Sequence, residues 1–490
     1  MQTYLFYDLE TTGLNRAFDQ ALQFAAIRTD LALQEITRHE IRIKLRPDVV
    51  PSPEAMMAHG ISIQQSLTGI CEFEATQKIY ALLNQPNTIS LGYNSLAFDD
   101  KFLRFAFFRN LLPPYTHQYE NNCRRMDLLP MVTVYWLVHH ELLHWPESEG
   151  KVSLKLEDLN AVNHFVDGAT HDAMVDTEIC VELARKLSEV QPTWNYLTKF
   201  FDKKKDAERI EQLPPLSHTL PAEYKIGLLV STEFGSKKRY LAPVAYLGKS
   251  IPYPNQSLWL RLDLSELQLS TETQISENTR VYRKRFGESG IILPPRERFF
   301  NRLDEDRKII HRENVKWLEQ NLNILSAIAK HHQNYTYPEI PEVDADAMLY
   351  PMGFWTDAEK SLCRKFHAAP LAKKIHLPSN YSNPLLQTLS KRIILRNYRD
   401  KYPDLFESEF VEVMRKVHPP PNQNPAIDHR GENKTTPASA MCKIDEMRKQ
   451  PGMSRRELAL LQELENYLRT HFKTDGDSTH FDFYNLLMDW

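Results

Sequence analysis

Residues 171–176 read HDAMVD, a histidine and two aspartates within six positions. Taken alone they describe the start of a helix, whose dipole favours carboxylates in its first turn. Asp8 and Glu10 are harder to explain in that way. They lie two apart in the β-rich run TYLFYDLETTG, so both side chains leave the same face of a strand just before the turn signal TTG. Two adjacent anions repel, and such a pair is costly unless a cation binds there. In FDD, Asp99 and Asp100 precede a helical pattern, where capping by an aspartate is the simplest reading. Each signal is weak by itself. Together they suggest a site that concentrates carboxylates.

The elements that must position these residues follow from periodicity. TYLFYDLETTG, FAAIRTD and EIRIKLRP, at hairpin spacing, predict a three-stranded meander, and NTISLGYNS a fourth strand. FDDKFLRFAFFRNLL and HDAMVDTEICVELARKLSEV carry apolar residues at helical spacing. Strands first, then strand and helix alternation, predict an α/β domain with a mixed sheet over residues 1–192. From 193 to 346, short runs such as KIGLLVS, YLAPVAYL and SLWLRLDL predict a small barrel or sandwich, followed by a helix over NVKWLEQNLNILSAIAKHH. From 347 to 490 the patterns are mainly helical, including SRRELALLQELENYLRTHF, in which Leu458, Leu461, Leu464 and Leu468 share a face. Residues 417–440 hold five prolines and almost no apolar content, and are expected to form a disordered insertion.

A chain of 490 residues exceeds what one core sustains, which agrees with three domains. With 42% hydrophobic and 25% charged residues the composition is that of a soluble globular protein, and no apolar run approaches the roughly 18 residues of a membrane span. MQTYLFYDLE has no basic region ahead of an apolar core, so it does not read as a secretory signal, and the cytoplasm is the expected compartment. The five cysteines are scattered and without CxxC, which fits reduced thiols. The net charge of −4 is spread unevenly, with 16 basic against 25 acidic residues over 1–192 and 23 against 17 over 193–330. A basic middle beside an acidic first part suggests an anion-binding surface next to the carboxylates.

DxE on the first strand, an aspartate near 100 and HxxxxD near 175 resemble the pattern of the DEDD-type 3′-to-5′ exonucleases. The resemblance is to their histidine branch, because the tyrosine branch carries Tyr where this chain has Ala173. FAAIRTD, GYNSLAFDDKFLRFAFFRN, DLLPMV, WPE with LEDLN, and HDAMVD, then YLAPVAYL, DAMLYPMGFW and KRIILRNYRDKYP, extend it to the exonuclease I family over nearly the whole chain. This resemblance implies an RNase H-like α/β nuclease domain, an SH3-like β-barrel and an α-helical C-terminal domain, closing a basic passage around single-stranded DNA. It implies a monomer that hydrolyses the strand processively to 5′-mononucleotides in DNA repair and recombination, and that docks the acidic C-terminal tail of single-strand binding protein. Asp8, Glu10, Asp99 and Asp176 would hold two Mg²⁺ ions, with Mn²⁺ as substitute, and His171 would be the general base. Glu10 and Lys155 would meet the terminal nucleotide, and Arg104, Tyr115 and Tyr119 would line the strand's path. The chemistry is coherent: hard oxygen ligands suit Mg²⁺, two metals can stabilise both the attacking and the leaving oxygen, and imidazole titrates near neutrality. Five residues of helix turn through about 140° net, so His171 is expected in the preceding loop, Asp176 on the helix, and Asp172 as its cap.

The chain departs from the family at Lys155, where arginine is expected, and over ILPPRERFFNRLDEDRKIIHR, which leaves the barrel's contacts open. The basic triplet Arg283, Lys284 and Arg285 is expected to face the passage. Two other readings stand beside this one. An RNA 3′ exonuclease could use the same metal site, which does not sense the 2′-hydroxyl, but small RNA trimmers consist of little more than the first domain. A non-catalytic single-strand-binding protein would not need all five catalytic positions filled.

Overall fold

The computed structural model describes residues 1–168, 172–420 and 423–472. Strands β1 (Thr3–Thr11), β2 (Ala21–Thr29) and β3 (Glu35–Arg42) form the antiparallel meander, and β4 (Thr88–Leu91) and β5 (Arg124–Arg125) add to it in parallel, in the order β3-β2-β1-β4-β5. β2 is buried along its whole length, whereas β3, at the edge, is largely exposed and charged, as an edge strand that must resist further pairing should be. Alternate residues of β1 go to opposite faces. Leu5, Tyr7 and Leu9 pack with Ile79, Phe102 and Phe107, while Phe6 packs with Ile179 and Leu183 of the helix Ala173–Ser188. Asp8 and Glu10 therefore lie on the face that this helix covers. Where β4 ends, a Cβ on Gly92 would come 2.5 Å from the Tyr7 carbonyl oxygen, so only glycine lets the chain pass so close to β1.

A short hairpin, β6 (Glu147–Ser148) with β7 (Lys151–Val152), precedes the helices from Leu156 to Glu211, after which the second sheet begins. Here β8 (Ile226–Val230), β9 (Leu241–Lys249), β10 (Gln256–Arg261), β11 (Val281–Arg285) and β12 (Ile291–Leu293) pair antiparallel in the order β11-β10-β9-β8-β12, the curled SH3-like sheet expected from the sequence. The helix expected next is two, Glu305–Gln320 and Leu322–Gln333, broken at Asn321. The rest is helical, including Pro384–Asn397, Pro437–Arg448 and Arg455–Phe472. In the last of these Leu461, Leu464 and Leu468 are buried, but Leu458 is exposed and Leu460 takes its place. Steps of three residues drift by about 60°, which carries Leu458 off the stripe.

The expectation of disorder over 417–440 does not hold for its described residues. Val417 ends a helix, Ile427 bridges to Val343 and to Asn433, and Thr436 caps Pro437–Arg448. Asp428 is fully buried, and Lys434 reaches Asp48 at 3.3 Å. Charges paired inside the protein order this segment where apolar content is lacking. Among the described residues no helix is long and apolar enough to cross a membrane.

Candidate active site

The carboxylates converge. Asp8, Glu10 and Asp176 each offer an oxygen, and these atoms lie within 4.8 Å of one another. The β1–β2 ladder runs in register from Tyr4↔Thr29 to Glu10↔Gln23, then shifts between Glu10 and Thr11. Irregularities of this kind re-aim side chains beside active sites. Asp176 arrives from the first turn of Ala173–Ser188, and Asp172 caps that helix by accepting from Met174 N at 2.9 Å. Asp99 opens the helix Asp99–Arg109, buried, and its charge is felt by Asp8 and Glu10. Loss of water, then repulsion from Asp99, Glu10 and Asp176, pushes Asp8 well above the usual carboxylate range. Burial, then Asp176 and Asp99, push Glu10 up to about 9, and burial, then the charges of Asp127 and Asp100, push Asp99 up to about 8. Hard oxygen donors crowded against one another are the donor set that divalent cations take. His171, expected as the base, lies outside the described residues.

Neither Asp99 nor Asp100 caps its helix. Asp100 is fully buried and accepts from Arg104 at 2.5 Å, Arg125 at 2.7 Å and His117 at 2.8 Å. Both arginines also reach Glu288 in the β11–β12 turn, at 3.5 and 3.3 Å. These ion pairs tie the second sheet to the residue next to Asp99. A further buried acid, Asp127, accepts from the backbone N–H groups of Asn94, Leu96 and Leu129 and so fixes the loop that delivers Asp99. The sequence reading missed both supports, although the i, i+4 spacing of Asp100 and Arg104 signals one of them.

Lys155 lines the same cleft of about 730 Å³ as Asp8 and Asp176, together with Tyr93, Thr232 and Tyr240. It is well exposed, 3.4 Å from Glu157, and its loop is held by Tyr93 Oη donating to the Leu154 carbonyl at 2.5 Å. On the other side of Glu10, Gln23 and Arg42 continue the row across β2 and β3 into a cleft of about 470 Å³ that His59 and Arg456 also line. Arg104 and Tyr115 are brought together with each other, the guanidinium 5.6 Å from the ring centroid, and not with the carboxylates. Arg104 is only 3% exposed and committed to Asp100, and Tyr115 packs edge-on against Phe354. Tyr119 is exposed beside the turn whose Asn121 carbonyl accepts from Asn87 N, at the start of β4 and so at the opposite end of that strand from Gly92. Of the basic triplet, Lys284 turns inward onto Asp206, while Arg283 and Arg285 line a cavity of about 350 Å³ where the helix Asp99–Arg109, the second sheet and the C-terminal region meet.

Comparison with known proteins agrees with this geometry. The RNase T exonuclease family model matches residues 5–184. The exodeoxyribonuclease I of Buchnera aphidicola (subspecies Baizongia pistaciae) is 33% identical over 54% of this chain and 53% of its own, so the chain spans about half the length of that relative. That of Escherichia coli is 29% identical over 85% of this chain and 90% of its own. Exonuclease I of E. coli, solved in complex with a 5cy-dA13 oligonucleotide, superposes with a TM-score of 0.80 at 23% identity, covering 96% of this chain and all of that one. At that identity the likeness speaks for a shared fold. With the named relatives beside it, the conclusion is that residues 5–184 match an exonuclease family model and that the chain is similar to exodeoxyribonuclease I proteins over most of its length.

Proposed function

We propose that the chain is a metal-dependent 3′-to-5′ exonuclease that hydrolyses single-stranded DNA processively to 5′-mononucleotides. The observation that carries this reading is the meeting of Asp8, Glu10 and Asp176 within 4.8 Å at a cleft that Lys155 also lines. Asp8, Glu10, Asp99 and Asp176 are the residues to hold Mg²⁺ or Mn²⁺. Two such ions, when bound, would activate a water and stabilise the leaving oxygen. The chain's own residues do the rest. His171 takes the proton of the attacking water, and Lys155 offers a point charge to the terminal phosphate, with less directional grip than an arginine. The bond between phosphorus and the 3′-oxygen breaks, leaving a 5′-monophosphate and a strand with a new 3′-hydroxyl. Glu10, beside Gln23, faces the sugar of the departing nucleotide.

Single-strand degradation fits a cytoplasmic monomer acting in DNA repair and recombination. The acidic tail of single-strand binding protein is the partner to test, by titration of a tail peptide at low salt. The primary experiment is release of label from 3′-labelled single-stranded DNA and RNA, with Mg²⁺ or with EDTA. Release from DNA that requires Mg²⁺ is expected. Faster release from RNA would make the chain an RNA exonuclease, and binding without release would make it a tether.

A further inference from the structure

Residues 426–434 form a tight strap. Lys434 N donates to the Ala426 carbonyl at 2.8 Å and Asp428 N to that of Glu432 at 2.9 Å. The buried Asp428 carboxylate accepts from the Arg430 and Glu432 backbone at 2.8 and 3.0 Å, and from Asn15 Nδ2 at 3.2 Å. Lys434 anchors the far end on Asp48. So fixed, the tip presents two side chains. The His429 ring stacks on Phe105 with centroids 5.3 Å apart and meets Tyr350 edge-on at 4.9 Å. Arg430 enters the 350 Å³ cavity beside Arg16, Lys101 and Arg285, with Tyr282 and Tyr337 on its walls.

Arg430 pairs with Glu432 at 2.6 Å and with Asp428 at 3.2 Å, yet five cationic side chains, Arg16, Lys101, Arg283, Arg285 and Arg430, line the cavity against two acids. Of the two acids that line the cavity, Glu288 is already held by Arg104 and Arg125. Burial and then the charge of Arg16 hold Lys101 down to about 8, and Arg16 in turn is lowered by burial and by Arg430. The Arg16 Nε is buried without a hydrogen-bond partner among the described residues. Crowded cations beside aromatic rings suit a chain of phosphates and bases, since cationic contacts with stacking hold single strands regardless of sequence.

We propose that the strap is a wall of the strand's passage, and that Arg430, with Arg16 and Lys101, binds a backbone phosphate upstream of the bond being cut. This rests on the reading of the chain as a single-strand exonuclease. The test uses the whole protein in EDTA, where nothing is cut, with anisotropy of a labelled oligothymidine from 50 to 200 mM salt. Losing one phosphate contact should lower the slope of log K against log salt by about 0.7, and affinity at 50 mM roughly eightfold, in Arg430→Ala. Arg430→Lys should restore most of both. With Mg²⁺, Arg430→Ala should cut a dinucleotide at the wild-type rate but release long strands more often into an unlabelled trap. Unchanged slope and affinity in Arg430→Ala would overturn the proposal. So would loss of acidic-peptide binding alone, which would make the cavity a protein site, or equal slowing on the dinucleotide, which would place the effect at the metal site. If the wild type binds no oligonucleotide, both readings fall.

Discussion

Asp48, Glu72 and Asp346 are more deeply buried than Asp8, Glu10 and Asp176, yet the two groups of acids are driven in opposite directions. Arg46 lies 3.1 Å from Asp48 and 2.9 Å from Glu72, Arg109 grips Glu72 at 2.6 Å, and Arg396 bridges Asp48 and Asp346 at 2.8 and 2.5 Å. These guanidinium groups overcome burial, hold Asp48 and Asp346 far below the carboxylate range, and take Glu72 down to about 2. Among the described residues no ion pair with a guanidinium is seen at Asp8 or Glu10, and Glu10 rises to about 9. The contrast teaches that burial alone does not mark a site. Asp48 and its arginines join the first domain to the helical one and are balanced within the fold, whereas the mutual repulsion of the β1 group is what the proposed cations would relieve.

The sharpest way to break this comparison is to remove one acid from each group. Asp8→Ala or Asp176→Ala should lower kcat by at least about 10²–10³-fold while oligonucleotide affinity in EDTA stays near that of the wild type. Single-turnover hydrolysis with parallel binding measures both. Asp48→Ala, in contrast, strands Arg46, Arg396 and Lys434 without their shared acid, and should cost about 3–5 kcal/mol in denaturant unfolding. In the metal-free protein Asp8→Asn should do the reverse and stabilise by about 1 kcal/mol, because it removes repulsion.

pH sharpens the same contrast. Glu72 and Glu288 are held at about 2 in the folded state, below an unfolded value of about 4.3. Their contribution is present above that unfolded value and is lost as pH falls toward 2. Glu10 at about 9 and Asp99 at about 8 act with the opposite sign. Their folded values are raised, so stability is greatest below about 4 and declines as pH rises toward 8 and 9. Unfolding midpoints in EDTA should therefore fall on both sides of a maximum, and saturating Mg²⁺ should flatten the alkaline side alone. The smallest effect is expected at Lys155, an exposed cation. Lys155→Ala should raise KM by about two- to fivefold with kcat little changed, as loss of a surface charge contact of up to about 1 kcal/mol implies.

Much of the carboxylate site was legible in the sequence, because strand and helix periods state which side chains share a face. Two apart on β1 put Asp8 and Glu10 together, and the cap at Asp172 left Asp176 one turn into its helix. What periodicity does not carry is the partner of a charge. Arg104 reads as a free cation until Asp100, four residues earlier, and Glu288, far along the chain, claim it. Residues 417–440 read as disordered because they are rich in proline and poor in apolar residues, and the partners that hold Asp428 and Lys434, Asn15 and Asp48, are several hundred residues away. The fold class was accessible from the run of strands and helices, but the break at Asn321 depended on local backbone geometry within a continuous helical pattern.

The central claim is that Asp8, Glu10, Asp99 and Asp176 are a cation site and the Asp48 group is not. Mn²⁺ titration of the EDTA-dialysed protein with a non-cleavable oligonucleotide, followed by electron paramagnetic resonance, tests it most directly. About two ions should bind to the wild type and to a folded Arg396→Lys variant, and binding should be lost or strongly weakened in Asp8→Ala and Asp176→Ala. Mn²⁺ bound equally by the wild type and by Asp8→Ala, or not bound at all, would contradict the account.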